Sequence, residues 1–142
     1  MRPLAVGIDI GGSTIKAARV GSAGLVGEVE TLTTPDTAAD LTAACVELVQ
    51  KLRNEVVAAV GVGAAGLVDR SEGTIIWGPH LPSAVALAEP IQKITGLPVE
   101  VDHDADAAAL AELRLGAALG YQNVLVVMLG TGIGGAIVVD GV

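Results

Sequence analysis

The chain has 142 residues, 51% hydrophobic and only 17% charged, a balance that excludes disorder and suits a buried globular core. Sixteen acidic against eight basic side chains give a formal charge of −8, which repels a phosphate backbone at long range, so nucleic-acid binding is not expected. One cysteine, Cys45, excludes an internal disulfide or a multi-thiolate metal site within one copy.

With no Phe, one Trp and one Tyr, the core must be built from Val, Leu, Ile and Ala, a composition expected of strands buried on both faces. Two long apolar stretches, residues 56–68 and 124–139, fall short of the roughly 18 uninterrupted residues of a membrane span and are broken by glycines, so no membrane partner is expected. Met1-Arg2-Pro3 enters strand-like sequence at once, without a charged leader and apolar segment, which predicts a cytoplasmic location.

Residues 4–10 form an apolar run broken only by Gly7 and Asp9, and residues 14–20 continue it after a Gly11-Gly12 turn, predicting a hairpin; residues 24–31 supply a third strand. From 36 to 53, Leu41, Ala44, Cys45, Leu48, Val49 and Leu52 recur at three- and four-residue spacing, predicting a helix capped by Asp36 or Thr37, with Cys45 as a core side chain. Residues 56–62 read as a buried strand, 69–73 as a polar bend and 74–77 as a short returning strand. A weaker helix spans 83–95, restarted or kinked at Pro90. A strand at 99–102 leads into a helix at 104–115, with Ala107, Leu110, Ala111 and Leu113 inward and Gly116 as its stop. Residues 124–129 and 133–139 close as a hairpin. This order predicts a layered α/β domain with a mixed, mainly parallel sheet flanked by helices.

Three segments carry candidate chemistry. After Asp9, the turn Gly11-Gly12-Ser13-Thr14 lets backbone approach a phosphate and adds hydroxyl donors; it reads either as an ordinary tight hairpin or as a phosphate cradle. Gly130-Thr131-Gly132 repeats the arrangement near the other end of the chain, and the pair is more telling than either member. Asp9 stands within reach of a metal bridging such phosphates through water, with magnesium the natural ion. Lys16 is either a phosphate-contacting cation or a snorkelling edge residue. Asp104, in His103-Asp104-Ala105-Asp106, either caps its helix, a duty for which Asp102 competes, or accepts a proton from a substrate hydroxyl. His103 has a sugar hydroxyl within its chemistry, and His80 reads as a solvated loop residue. Gly61-x-Gly63-x-x-Gly66 and Gly130-x-Gly132-x-x-Gly135 satisfy the dinucleotide fingerprint in letters, but neither opens a helix. Together the segments read as a phosphotransferase.

These residues resemble the ROK family of sugar kinases and sugar-responsive repressors, within the actin-like ATPase (ribonuclease H-like) superfamily. The resemblance is carried by Val6-Gly7-Ile8-Asp9-Ile10-Gly11-Gly12-Ser13 and by Gly61-Val62-Gly63-Ala64-Ala65-Gly66-Leu67-Val68-Asp69. Further along, His103-Asp104-Ala105-Asp106-Ala107-Ala108-Ala109-Leu110-Ala111-Glu112 and Leu129-Gly130-Thr131-Gly132-Ile133-Gly134-Gly135 complete it. It implies transfer of a phosphoryl group from ATP or polyphosphate, with Mg²⁺, to the primary hydroxyl of a hexose such as glucose. Asp104 is then the catalytic base; Gly11, Gly12, Ser13, Thr14, Lys16, Gly130, Thr131 and Gly132 hold phosphate. Gly66, His80, His103 and Asp104 hold sugar, and Asp9 serves the metal. The family usually has Asn where His80, His103 and Asp106 stand and Pro where Ala65 stands. Its members are roughly twice this size, two lobes closing over the substrate. The chain is accordingly expected to be an N-terminal lobe, residues 1–120, followed by the truncated beginning of a second, 121–142. The second lobe is mostly missing, little turnover is expected of the chain alone, and it is expected to pair with a complementary lobe or with itself. A catalytically silent sugar-binding regulatory module of the same family is the alternative.

Overall fold

The computed structural model describes residues 3–130 and 132–141. Strands β1 (Leu4–Ile10), β2 (Thr14–Gly21) and β3 (Gly24–Thr33) form a meander, followed by helix α1 (Ala38–Leu52) and strand β4 (Val57–Ala64). Three short strands, β5 (Leu67–Asp69), β6 (Thr74–Trp77) and β7 (Val85–Ala86), precede α2 (Ala88–Thr95). Strand β8 (Val99–His103) runs directly into α3 (Asp104–Leu115), and β9 (Val124–Leu129) and β10 (Ile133–Val138) end the described chain. No helix among the described residues is long and apolar enough to cross a membrane.

The central sheet has the order β3-β2-β1-β4-β8. β1, β4 and β8 pair in parallel while β2 is antiparallel to both its neighbours, so every strand except β2 points the same way. One face of this sheet makes the core. Val6, Ile8 and Ile10 of β1, Ile15 and Ala17 of β2, Val60 and Val62 of β4 and Val101 of β8 pack with Leu41, Cys45, Leu48 and Val49 of α1. Burial on both faces, expected from the composition, does not occur: the alternate positions are Ala5, Gly7 and Asp9 in β1 and Ala59, Gly61 and Gly63 in β4, none of them fully buried. Small residues there gave the strands their unbroken apolar look.

Helix α1 begins where its cap was expected. Thr37 adopts extended backbone and its hydroxyl oxygen accepts the Asp40 N–H at 3.1 Å. Thr37→Ala therefore lowers stability by about 1 kcal/mol while Thr37→Ser stays near wild type, read as a shifted urea midpoint at constant slope.

The predicted helix over 83–95 is shorter than expected. Val85 and Ala86 pair with Ile75 and Thr74 as a strand, and Ala84 takes a left-handed φ of 56°, which no helix accommodates. α2 starts at Ala88, placing Pro90 in the first turn, where its missing N–H has no intrahelical partner to lose.

In α3 the bounds match the prediction and the inward face does so in part: Leu113 packs on the β9–β10 ribbon and Ala107 faces Gly63 of β4. Ala105 and Ala109 are buried against Ala136 and Val138 of β10, while Leu110 and Ala111 point outward. The β9–β10 ribbon forms a sheet of its own on α3. Its other face leaves Leu125, Val127, Leu129, Ile133 and Ile137 exposed.

Candidate functional site

Parallel pairing aligns the C-terminal ends of β1, β4 and β8, the end at which open α/β sheets bind ligands. Register then builds a row across four strands: Lys16 lies opposite Asp9, Asp9 opposite Gly63, and Gly63 opposite Asp102. All four lie on the sheet face turned away from α1, because their neighbours along each strand are the core residues. Gly63 leaves a gap in the row, and α3 enters it: a β-carbon at 63 would stand 3.4 Å from the Asp104 Cα. The strand face thus delivers Asp104 beside Asp9. Partial burial, and then the Asp104 charge, push the Asp9 carboxyl above its ordinary range, opposed by Lys16.

Asp104 does not cap α3, and neither does Asp102. Because β8 runs straight into the helix, His103 takes the cap position without a side-chain cap bond, and Asp104 is the first helical residue. The Asp104 Oδ1 accepts the Ala105 N–H at 2.8 Å, and Asp102 Oδ1 accepts the His103 N–H at 2.7 Å. His103 Nε2 lies 3.2 Å from Asp104 Oδ1.

The first glycine turn is held from two sides. Gly11 N–H donates to the Thr14 carbonyl at 3.0 Å, so this amide shapes the turn, leaving those of Gly12 and Ser13 as donors on offer. Thr34, buried at the end of β3, donates its hydroxyl to the Gly11 carbonyl at 2.7 Å and its N–H to the Ser13 carbonyl at 3.0 Å. Against the turn lies the loop after β6. A β-carbon on Gly12 would stand 2.9 Å from the His80 Cβ, and His80 itself holds a left-handed φ of 61°, uncommon for any residue with a side chain. Gly12, Asp36, His80, Leu81 and Pro82 line a cavity of about 420 Å³. Gly66 sits beneath the same loop, packed against the backbone of Trp77 and Gly78.

The structure therefore gathers Asp9, Lys16, His103 and Asp104 on one side and Gly12, His80 and Gly66 around the adjoining loop, with Ser13 and Thr14 exposed at the turn. Gly130 and Gly132 are exposed at the tip of the β9–β10 hairpin, where Gly130 N–H bonds the Gly132 carbonyl at 3.0 Å. Thr131 lies outside the described residues. Two participants were not legible in the sequence: Thr34, and Arg70, which lies 2.7 Å from Asp102 and 2.6 Å from Asp106. Both act across more than 20 residues of chain, and only the polar character of the 69–73 bend hinted at Arg70.

Among the described residues, no three His, Cys, Asp or Glu side chains form a metal cage. The closeness of the Asp9 and Asp104 charges nevertheless fits a hard divalent ion that takes its other ligands from phosphate and water.

Comparison with known proteins follows the same outline. The profile of the ROK family matches residues 5–142. The glucokinase of Streptomyces coelicolor is 40% identical over 140 residues, covering 96% of this chain and 44% of that protein. A ROK family glucokinase from Streptomyces griseus, solved with glucose and AMPPNP, superposes with a TM-score of 0.87 at 36% identity, covering 97% of this chain and 45% of that one. A ROK family transcriptional regulator, a homologue of the Escherichia coli MLC protein, superposes with a TM-score of 0.84 at 27% identity, covering 97% and 37%. The chain spans under half the length of these relatives.

Proposed function

The chain belongs to the ROK family, and we propose on that premise that it supplies the phosphate- and sugar-facing half of a hexose kinase. The observation that carries this reading is Asp104 itself, whose Cα and Cβ lie over Gly63 and whose charge acts on Asp9 at the carboxyl end of the sheet. Asp104 accepts the proton of the hexose primary hydroxyl as its oxygen bonds to the γ-phosphorus of ATP; the bond from that phosphorus to the bridging oxygen breaks and ADP leaves. Asp104 opens α3, and phosphoryl transfer through a loose transition state asks chiefly that it orient the hydroxyl. Gly12, Ser13 and Thr14 approach the phosphates from one side, with Lys16 adding charge, and Gly130, Thr131 and Gly132 approach from the other. Gly66, His80 and His103 hold the sugar. Asp9 holds Mg²⁺ through water, and the ion, when bound, neutralises phosphate charge. Polyphosphate offers the same anionic chain as ATP and is the alternative donor. A cytoplasmic location belongs to the same proposal.

Residues 1–120 are read as one lobe and 121–142 as the start of the next, a division supported by the separate β9–β10 sheet. The exposed apolar face of that ribbon supports association with the rest of a kinase or, in its absence, with a second copy. Light scattering after size exclusion then gives a mass above the monomer that rises with concentration; a monomer at every concentration removes self-association.

The test of function is hexose-dependent ADP release by the chain alone and with the C-terminal half of the Streptomyces coelicolor glucokinase. Release that needs both hexose and the complementary half supports the kinase. Hexose binding without release in either case favours a sugar-sensing module, the reading supported by the resemblance to the transcriptional regulator.

A further inference from the structure

The bend after β5 contains a charged residue that the phosphoryl-transfer scheme does not use. Asp69 locks the bend: its Oδ1 accepts from the Ser71 hydroxyl at 2.6 Å, the Ser71 N–H at 2.9 Å and the Glu72 N–H at 3.2 Å. These bonds hold the Asp69 carboxyl below its usual range. From this fixed base Arg70 reaches across to the β8–α3 junction. Its Nε lies 2.7 Å from Asp102 Oδ1 and its Nη2 lies 2.6 Å from Asp106 Oδ2.

Asp102 belongs to the strand before Asp104, and Asp106 to the first turn of the helix after it. One guanidinium therefore spans the point where strand becomes helix, the point that lacks a side-chain cap. The planar fork suits two carboxylates at once, whereas a lysine ammonium is a single point charge. The local charge also needs it. Asp102, Asp104 and Asp106 place three carboxylates within five residues, Asp9 faces them from β1, and His103 touches Asp104 at 3.2 Å and reaches Asp106 at 4.0 Å. Lys16 stands opposite Asp9, on the other side of the row. Isolated exposed ion pairs contribute little, but here two share one cation and close a junction on which the site depends.

We propose that Arg70 is a positioning residue, which clamps Asp102 and Asp106 and so fixes the backbone from which Asp104 projects. The proposal rests on the reading of Asp104 as the acceptor of the hydroxyl proton. Its test uses the 142-residue chain, with amide hydrogen exchange followed by NMR in Arg70→Gln and Arg70→Lys. Arg70→Gln speeds exchange at residues 107–110, the first amides of α3 with acceptors inside the helix, by roughly fivefold, the effect of losing two exposed ion pairs, while α1 and β1 keep their wild-type rates. Arg70→Lys recovers part of the protection. The side-chain carboxyl ¹³C resonance of Asp104 moves in Arg70→Gln and returns toward its wild-type position in Arg70→Lys, although residue 70 does not touch residue 104. Unchanged exchange at 107–110, or equal acceleration in α1 and β1, overturns the clamp. Asp104→Asn keeps both clamp partners and leaves exchange at the wild-type rate; loosening as large as that of Arg70→Gln also overturns it. The base reading is decided separately, by phosphoryl transfer in Asp104→Asn.

Discussion

Replacing Asp104 by Asn lowers hexose-dependent ADP release by about two to four orders of magnitude, the range associated with losing a positioned general base. The assay is the chain supplied with the C-terminal half of a glucokinase relative. Asn is close in shape, and its side-chain oxygen can still accept the Ala105 N–H that Asp104 accepts at 2.8 Å, so the start of α3 survives. What disappears is the charge. The same substitution removes a carboxylate that pushes the Asp9 carboxyl upward, so Asp9 moves back toward its ordinary range. An unfolding free energy, from urea denaturation, within about 0.5 kcal/mol of wild type separates lost chemistry from lost fold. A variant that retains full rate removes Asp104 from the role of base.

The largest stability effect belongs to Gly66. Its φ is +145°, a region that residues with side chains rarely adopt, and a β-carbon there would strike the Trp77 carbonyl oxygen and lie 2.6 Å from the Gly78 Cα. Both obstacles are backbone, so neither can swing aside. Gly66→Ala combines backbone strain with overpacking and destabilises by about 2 to 5 kcal/mol, measured by urea unfolding. It also shifts the loop that brings His80 against Gly12, so the cavity between them changes shape. Gly130→Ala is the control: nothing lies within 4 Å of the added carbon, and the expected change is within about 0.5 kcal/mol. Equal stability of the two variants contradicts the close approach at Gly66.

How much of this was legible in the sequence depended on the range of the forces involved. Helix α1 was readable because its 3.6-residue apolar period and its Thr37 cap are local signals. The bounds of α3 were readable from its alanine-rich run, but only part of its inward face, Ala107 and Leu113. Packing against a two-stranded ribbon favours close approach, so Ala105 and Ala109 turn in where the larger Leu110 had been expected. The 83–86 segment has helix-forming residues, yet pairing of Val85 with Ile75 overrides propensity. Capping by Asp102 or Asp104 failed because the strand leaves no intervening residue before the helix. In the site, Asp9 and Asp104 were visible beside glycine turns and at a helix start. Thr34 and Arg70 were not, because partners 23 to 36 residues away are set by sheet register and loop path.

Cys45 is wholly enclosed between α1 and the sheet, and burial pushes its thiol up to about 12. At neutral pH it offers maleimide almost no thiolate. A pair of cysteines introduced at Ser13 and Gly132, both exposed, can therefore carry fluorophores without a background label from the interior. With its single cysteine enclosed, the native chain already serves as the parent for an optical ruler between its two glycine turns.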